Sequence, residues 1–178
     1  MGRGDVVSGH DAAKEVMEIL GILEKGNSQD FELVKSLIDD FPQGVDPWIE
    51  RNWITNAIDC HSLSAVQWMI EQGVELKFRD PEGYTVLHVA MEHAGPGKSA
   101  ILWALIAAGA DINAHGINDW TPLHMAVARG DIDALEILLR AGADRKIKTR
   151  IDHYATPEQE ARRSGSERIA NIIRDFKP

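Results

Sequence analysis

Cysteine is almost missing from this sequence. Cys60 stands alone among 178 residues, which excludes an internal disulfide framework and any zinc cluster built on several thiolates. A reducing, cytoplasmic setting is expected. Long apolar runs are missing too. The longest, Ala100–Ala110, falls well short of the ~20 residues that a bilayer-spanning helix needs, so no membrane segment is expected. The opening MGRGDVVSGHD has an early Asp and no apolar core and does not read as a secretory signal. Its Arg3-Gly4-Asp5 tripeptide matches an adhesion motif, but a match of three residues carries no weight. Positive charge is also short: the net charge is −9. Residues 1–80 hold 7 Lys/Arg against 15 Asp/Glu, whereas residues 81–178 hold 12 against 13. Such an acidic front repels phosphate backbones, which argues against nucleic acid and for a protein partner with a basic surface. The local exception is Arg140, Arg145, Lys146, Lys148 and Arg150, with Arg162 and Arg163 after them; a solvated surface is the expected reading of that cluster.

What is present is an ordinary globular balance, 44% hydrophobic and 26% charged, in a chain long enough for one domain with a sizeable core. Above all, the chain repeats itself. GYTVLHVA (83–90) matches DWTPLHMA (119–126), and LIAAGADINA (105–114) matches LLRAGADRKI (138–147), with Thr85 and Thr121 separated by 36 residues. Thr156, in HYATPEQEA, falls 35 residues after Thr121, and Ala57 lies 33 before Ala90 at the start of a weaker copy. A first segment, EILGILEKGNSQDFELVKSLIDD, keeps the two-helix rhythm without the Thr-Pro opening.

The best copy shows why each repeat folds as a helical hairpin. Thr121 is a good N-cap and Pro122 is preset for a first helical turn. Gly130 breaks the first helix, Asp131 or Asp133 caps the second, and Ile132, Leu135, Leu138 and Leu139 recur at helical spacing. Gly142 supplies the left-handed residue that ends it. A hairpin this small cannot hide its own apolar face, so neighbours must stack. The opening helix, about 11–25, is expected to turn Val16, Met17, Ile19, Leu20 and Leu23 inward. At the far end Ala170 and Asn171 take the positions of Leu135 and Glu136, and Arg162, Arg163, Arg168 and Arg174 supply a polar cap.

These phrases resemble the ankyrin repeat, with its Thr-Pro-Leu-His-x-Ala opening, Leu-Leu pair and Gly-Ala-Asp close. The resemblance covers roughly residues 11–176. It implies an all-α ankyrin-repeat solenoid forming a single domain over 1–178. About five helix–turn–helix repeats are expected, near 11–43, 46–79, 80–114, 116–149 and 152–176, with atypical caps at both ends. It also implies that His88 and His124 pack and hydrogen-bond inside the hairpin layer. Asn113 sits where some eukaryotic ankyrin proteins are hydroxylated.

One stretch suggests chemistry. Gly95-Pro96-Gly97-Lys98-Ser99 ends as a phosphate-binding loop ends, which would make the chain an NTP-binding protein through Lys98 and Ser99. However, the loop's first glycine would have to be at position 92, which is Glu92, and a helix rather than a strand precedes it. The stretch is read as an inter-helix turn, lengthened by three residues, with Ser99 capping the next helix. The histidines show no metal-ligand spacing. Cys60 and His61 point apart on a helix and have no third orienting group, so no thiol–base pair is expected. No catalytic residue, cofactor or metal is expected, and a monomer is favoured.

In this family partners commonly touch the turn tips and the exposed face of each first helix. By position, that implies a partner-binding set of Trp48, Glu50, Arg51 and Asp59; then Glu82, Tyr84, Glu92 and His93; then Ile117, Asn118, Trp120 and Arg129; and finally His153 and Tyr154. Cys60, Pro81, Ala128 and Asp152 adjoin them. Trp48, Tyr84, Trp120 and Tyr154, spaced by 36, 36 and 34 residues, are expected at comparable places as a row of aromatic anchors. Trp53 and Trp68 are expected in the core, and Trp103 on the outer face. The function expected is non-catalytic protein binding, with an acidic inhibitor or immunity-type protein against a basic toxin or enzyme as the sharper form. A general adaptor or scaffold is the alternative.

Overall fold

A computed structural model describes residues 9–92, 95, 97–151 and 153–177, with side chains from Ala12 onward. Among the described residues there are ten α-helices and no strand. The chain divides into two compact units, Met1–Val74 and Glu75–Pro178.

The first unit contains α1 (Gly9–Lys25), α2 (Ser28–Leu37), α3 (Trp53–Asp59) and α4 (Leu63–Glu71). α1 packs on α2 and α3, and α2 on α4. α1 buries Ala12, Val16, Ile19 and Leu23, a single stripe at helical spacing. Met17, expected inward, is 58% exposed: one residue on from Val16, it is turned about 100° off that stripe. Leu20 is half-buried. α2 opens on a capping box, in which Asn27 Oδ1 accepts from the Gln29 amide at 2.8 Å and Asp30 Oδ2 accepts from the Asn27 amide at 2.9 Å. Trp53 and Trp68 are buried as the sequence implies. They gather round Phe41, with ring centroids 5.3 and 5.8 Å away, and Phe31 lies 5.6 Å from Trp68. The Trp68 indole N–H is satisfied by Glu32 Oε1 at 3.1 Å.

The second unit contains α5 (Val86–Glu92), α6 (Lys98–Ala107), α7 (Pro122–Arg129), α8 (Ile132–Arg140), α9 (Pro157–Arg163) and α10 (Glu167–Asp175). Each first helix packs on its own second helix, α5 on α7, α7 on α9, and α6 on α8. The core is aliphatic: Leu87, Leu102, Leu105, Leu123, Leu135 and Leu138 are fully buried. Thr121 accepts from the His124 amide at the start of α7, Asp131 caps α8 through the Ala134 amide at 3.0 Å, and Gly130 and Gly142 have φ of +66° and +89°. The local signals of the sequence therefore hold. Ser99 differs. α6 starts two residues earlier than that cap implies, at Lys98, with Gly97 at φ +91° in the cap position, so Ser99 lies inside the helix. Trp103 is 42% exposed, on the outer side as expected.

Two histidines tie successive hairpins together. The His88 Nε2–H donates to the Trp120 carbonyl at 3.0 Å, and Nδ1 meets the Thr85 hydroxyl at 2.6 Å. The same arrangement recurs at His124, with the Ala155 carbonyl at 3.1 Å and the Thr121 hydroxyl at 2.8 Å. A carbonyl can only accept, so Nε2 carries the proton in both rings and Nδ1 accepts. The His88 ring lies against Gly116: a methyl added there would come within 2.4–2.7 Å of three ring atoms. The φ of Gly116 is −116°, so close approach, and not backbone freedom, demands the glycine. Gly116→Ala should cost about 1–3 kcal/mol, read as a lower urea midpoint. An unchanged midpoint would show that the ring moves aside freely.

Candidate interaction surface

The surface is built from turns, and the turns share one backbone device. A bond closes each: the Asp46 amide to the Arg51 carbonyl at 2.8 Å, Asp80 to Tyr84 at 3.0 Å, Gly116 to Trp120 at 2.7 Å, and Thr149 to Ala155 at 3.1 Å. The residue before each closing position is left-handed: Glu50 at φ +56°, Gly83 at +89°, Asp119 at +59° and Tyr154 at +50°. Arg51, Tyr84, Trp120 and Ala155 are therefore equivalent. The expected row of four aromatics is corrected accordingly. Trp48 lies three residues ahead of the slot that Tyr84 and Trp120 fill, and Tyr154 lies one residue ahead. Spacings of 36, 36 and 34 concealed this because the turns differ in length.

In the first unit, the buried Asp46 carboxylate organises the turn. Oδ1 accepts from the Trp48 amide at 3.1 Å and the Ile49 amide at 2.8 Å; Oδ2 accepts from the Arg51 amide at 3.1 Å and Asn56 Nδ2 at 3.0 Å. Glu50 is exposed at the same tip. Arg51 is ion-paired with Asp59, so both are half-buried and partly neutralised. Cys60 Sγ is 3.6 Å from the Leu20 carbonyl. Burial, with Asp59 and Glu24 nearby, pushes its thiol up to about 11, so the thiolate needed for nucleophilic chemistry is strongly disfavoured.

In the second unit, the Asp80 carboxylate accepts from the Tyr84 amide at 2.7 Å, and the Tyr84 hydroxyl donates to Glu92 Oε1 at 3.3 Å. Glu92 is also ion-paired with Arg129 of the next first helix. Burial and then the Glu92 charge raise the Tyr84 phenol above its usual value. Tyr84, Glu92 and Arg129 thus form one linked cluster. Glu82 and Asn118 are exposed, Ile117 and Trp120 half-buried, and His153 and Tyr154 exposed. His93 and Asp152 lie outside the described residues. Arg150, on the last turn, clamps Asp119 on the preceding one through Nε at 2.9 Å and Nη2 at 2.6 Å. Burial alone would raise the Asp119 carboxyl, but these bonds outweigh it and hold it below the usual range.

Three further side chains belong to the exposed apolar set: Val45, Ile49 and Ile151, each about half exposed at 47%, 50% and 50%. Sequence reasoning passed them over because single β-branched residues in turns look unremarkable beside a Trp or Tyr.

Other candidates are occupied elsewhere. Lys98 is ion-paired with Asp131, the residue that caps α8. Arg145 Nη1 donates to the Ile173 carbonyl at 2.6 Å and to Phe176 at 3.2 Å, closing the end of α10. Arg140 pairs with Glu136 at 2.7 Å. Of the basic cluster, Lys146 and Lys148 are exposed. Among the described residues, no group of three or more His, Cys, Asp or Glu is arranged to hold a metal ion. Likewise, no helix is long and apolar enough to cross a membrane.

The family model for ankyrin repeats matches residues 23–116 and 54–150. The chain belongs to the ankyrin-repeat family. An ankyrin repeat protein of Rickettsia bellii is 33% identical over 114 residues, covering 64% of this chain and 62% of that protein. The nuclear factor NF-kappa-B p105 subunit of Gallus gallus is 30% identical over 92 residues, 51% of this chain and 9% of its own. Protein phosphatase 1 regulatory subunit 12A of Mus musculus is 33% identical over 91 residues, again 51% of this chain and 9% of its own. The chain thus spans under two thirds of the first of these relatives and under a tenth of the others. Ankyrin repeats generally mediate protein–protein interaction.

Proposed function

We propose that this chain is a non-catalytic protein-binding module that recognises its partner through turn tips and the exposed flanks of the first helices. The observation that carries this reading is the pairing of fixed turns with exposed apolar tips. The Asp46 carboxylate holds the turn that carries Trp48, and the bond from the Thr149 amide to the Ala155 carbonyl closes the turn that carries Tyr154; the two rings are 48% and 65% exposed. Such anchors bind with little loss of conformational freedom. Tyr154 adds a second sign: a bulky residue at φ +50°, in the slot that Gly83 fills, costs roughly 1 kcal/mol or more of backbone strain. Strain of this kind is retained where the side chain is needed. The net charge of −9 favours a basic partner, and a binder that restrains a basic enzyme or toxin is the sharper form of the proposal. The phosphatase regulatory subunit among the relatives is, by its name, a protein that controls an enzyme. The alternative is an adaptor that brings a client to a complex.

The test is a tagged pull-down from native lysate read by mass spectrometry, with Tyr84→Ala/Trp120→Ala/Tyr154→Ala and Trp48→Ala/Ile49→Ala variants alongside. A protein held by the wild type and lost by either folded variant supports the module. Equal capture by all three places binding elsewhere and rejects it.

A further inference from the structure

Val45, Trp48 and Ile49 sit on one turn of seven residues, Val45 to Arg51, closed by the Val45–Asn52 bridge and the Asp46 carboxylate. All three are about half exposed, at 47%, 48% and 50%. Three large apolar groups on one braced turn form a projecting wedge, not a scattering of single exposed residues. The bracing leaves the wedge rigid, so it meets a partner with little loss of conformational freedom.

The charge of the connection that carries it is one-sided. Asp39, Asp40 and Glu50 are exposed on the same connection between α2 and α3. The only cation of that connection, Arg51, is taken by Asp59. Residues 1–74 hold 5 Lys/Arg against 13 Asp/Glu, whereas the rest of the chain is nearly balanced. The two halves of the surface therefore differ in what they can recognise. A second copy of this chain docked wedge to wedge would set like charges against each other. An acidic partner is excluded by the same repulsion.

Resting on the reading above, we infer that the 45–51 turn of the first unit is the anchor for one kind of partner: a protein segment with an apolar face rimmed by Lys and Arg. Trp48 and Ile49 rest on that face, and the carboxylates of the same connection, Asp39, Asp40 and Glu50, attract the rim. Apolar burial supplies the anchoring, while the carboxylates speed encounter and reject acidic surfaces.

The experiment titrates the 178-residue chain by calorimetry at about 0.15 M salt with three synthetic peptides of equal length. One is a Lys/Leu amphipathic helix, one its Glu/Leu counterpart, and one a Lys/Ser chain of the same charge. The Lys/Leu peptide is expected to bind, and the other two at least about tenfold more weakly. Trp48→Ser/Ile49→Ser, at exposed positions and checked for an unchanged thermal midpoint, should lose about tenfold or more of that affinity. Asp39→Asn/Asp40→Asn should weaken binding mainly by flattening its salt dependence. The inference is overturned if the Lys/Leu peptide does not bind, if the Lys/Ser chain binds as well, or if the Ser variant binds unchanged. A pull-down partner lost on the Tyr84, Trp120 and Tyr154 changes but kept by the Trp48 and Ile49 variant would leave the module standing and sink only this assignment.

Discussion

Asp46→Ala is expected to lower the stability of the first unit by about 3 kcal/mol. The carboxylate is completely buried and accepts four N–H groups, three from the turn backbone and one from Asn56. Hydrogen bonds to a charged acceptor contribute about 1.5–3 kcal/mol each where they count fully, and a buried donor left unpaired costs about 1–3 kcal/mol. The four do not add up. The Trp48 and Ile49 amides lie at a half-exposed tip where water can replace the lost acceptor; Asn56 Nδ2 is buried and cannot be rescued so easily. Asp46→Asn keeps one acceptor oxygen and should lose roughly half as much. Urea denaturation gives both values. In the Ala variant the Trp48 indole should also drift toward the shift of a free tryptophan in a proton–nitrogen spectrum, because the turn no longer holds it. A midpoint within experimental scatter of wild type would show that the turn is held by its backbone bonds alone.

The second large effect is acid sensitivity set by His88. Burial, chiefly, lowers its imidazole to about 4 from the ordinary 6.5; both ring nitrogens are already engaged, and protonating Nδ1 would sacrifice the bond from the Thr85 hydroxyl. The folded chain therefore keeps His88 neutral between about pH 6.5 and 4, while the unfolded chain takes up a proton. Stability is full above the unfolded value, falls as the pH drops below 6.5, and levels off near 4. At about 1.4 kcal/mol for each pH unit the accumulated loss is about 3 kcal/mol. His124 is lowered by burial as well and adds loss in the same direction. The check is a set of urea midpoints between about pH 7 and pH 4.5 for wild type and His88→Thr, the residue found in the matching slot at Thr55. The variant should be weaker at neutral pH, since the Trp120 carbonyl loses one of its two donors and keeps only the Gly116 amide, yet its stability should fall less steeply with acid. An equally steep fall would assign the titration to other groups.

Much of the fold was readable because its signals are local. A Thr-Pro step caps a helix wherever it stands, Gly130 and Gly142 end helices by backbone conformation, and leucines three and four residues apart mark a buried stripe. The same holds for the aromatic core, since Trp68 falls on the apolar stripe of its helix and Trp53 takes the place that Pro122 fills in the best copy. Met17 failed for a related reason: α1 is flanked by apolar residues on two sides, and one-dimensional pattern does not say which of them finds a neighbour. Thr55 went unremarked. It takes the position of His88 and His124, and its buried hydroxyl has no hydrogen-bond partner among the described residues.

The binding surface was less legible. Aromatic spacing suggested one row, but closing bonds across turns of different length decided which residues are equivalent. The fate of the charges was equally hidden. Lys98 meets Asp131 from 33 residues away, Arg150 meets Asp119 from 31, and Arg145 reaches Ile173 from 28. By itself the sequence determined that this chain folds as stacked helical hairpins of the ankyrin family, because periodicity, caps and breakers act within a few residues. Only the tertiary structure decided which turn residues stand free and which charges are already spent. Those outcomes depend on partners about one repeat away, which folding alone brings within hydrogen-bond range.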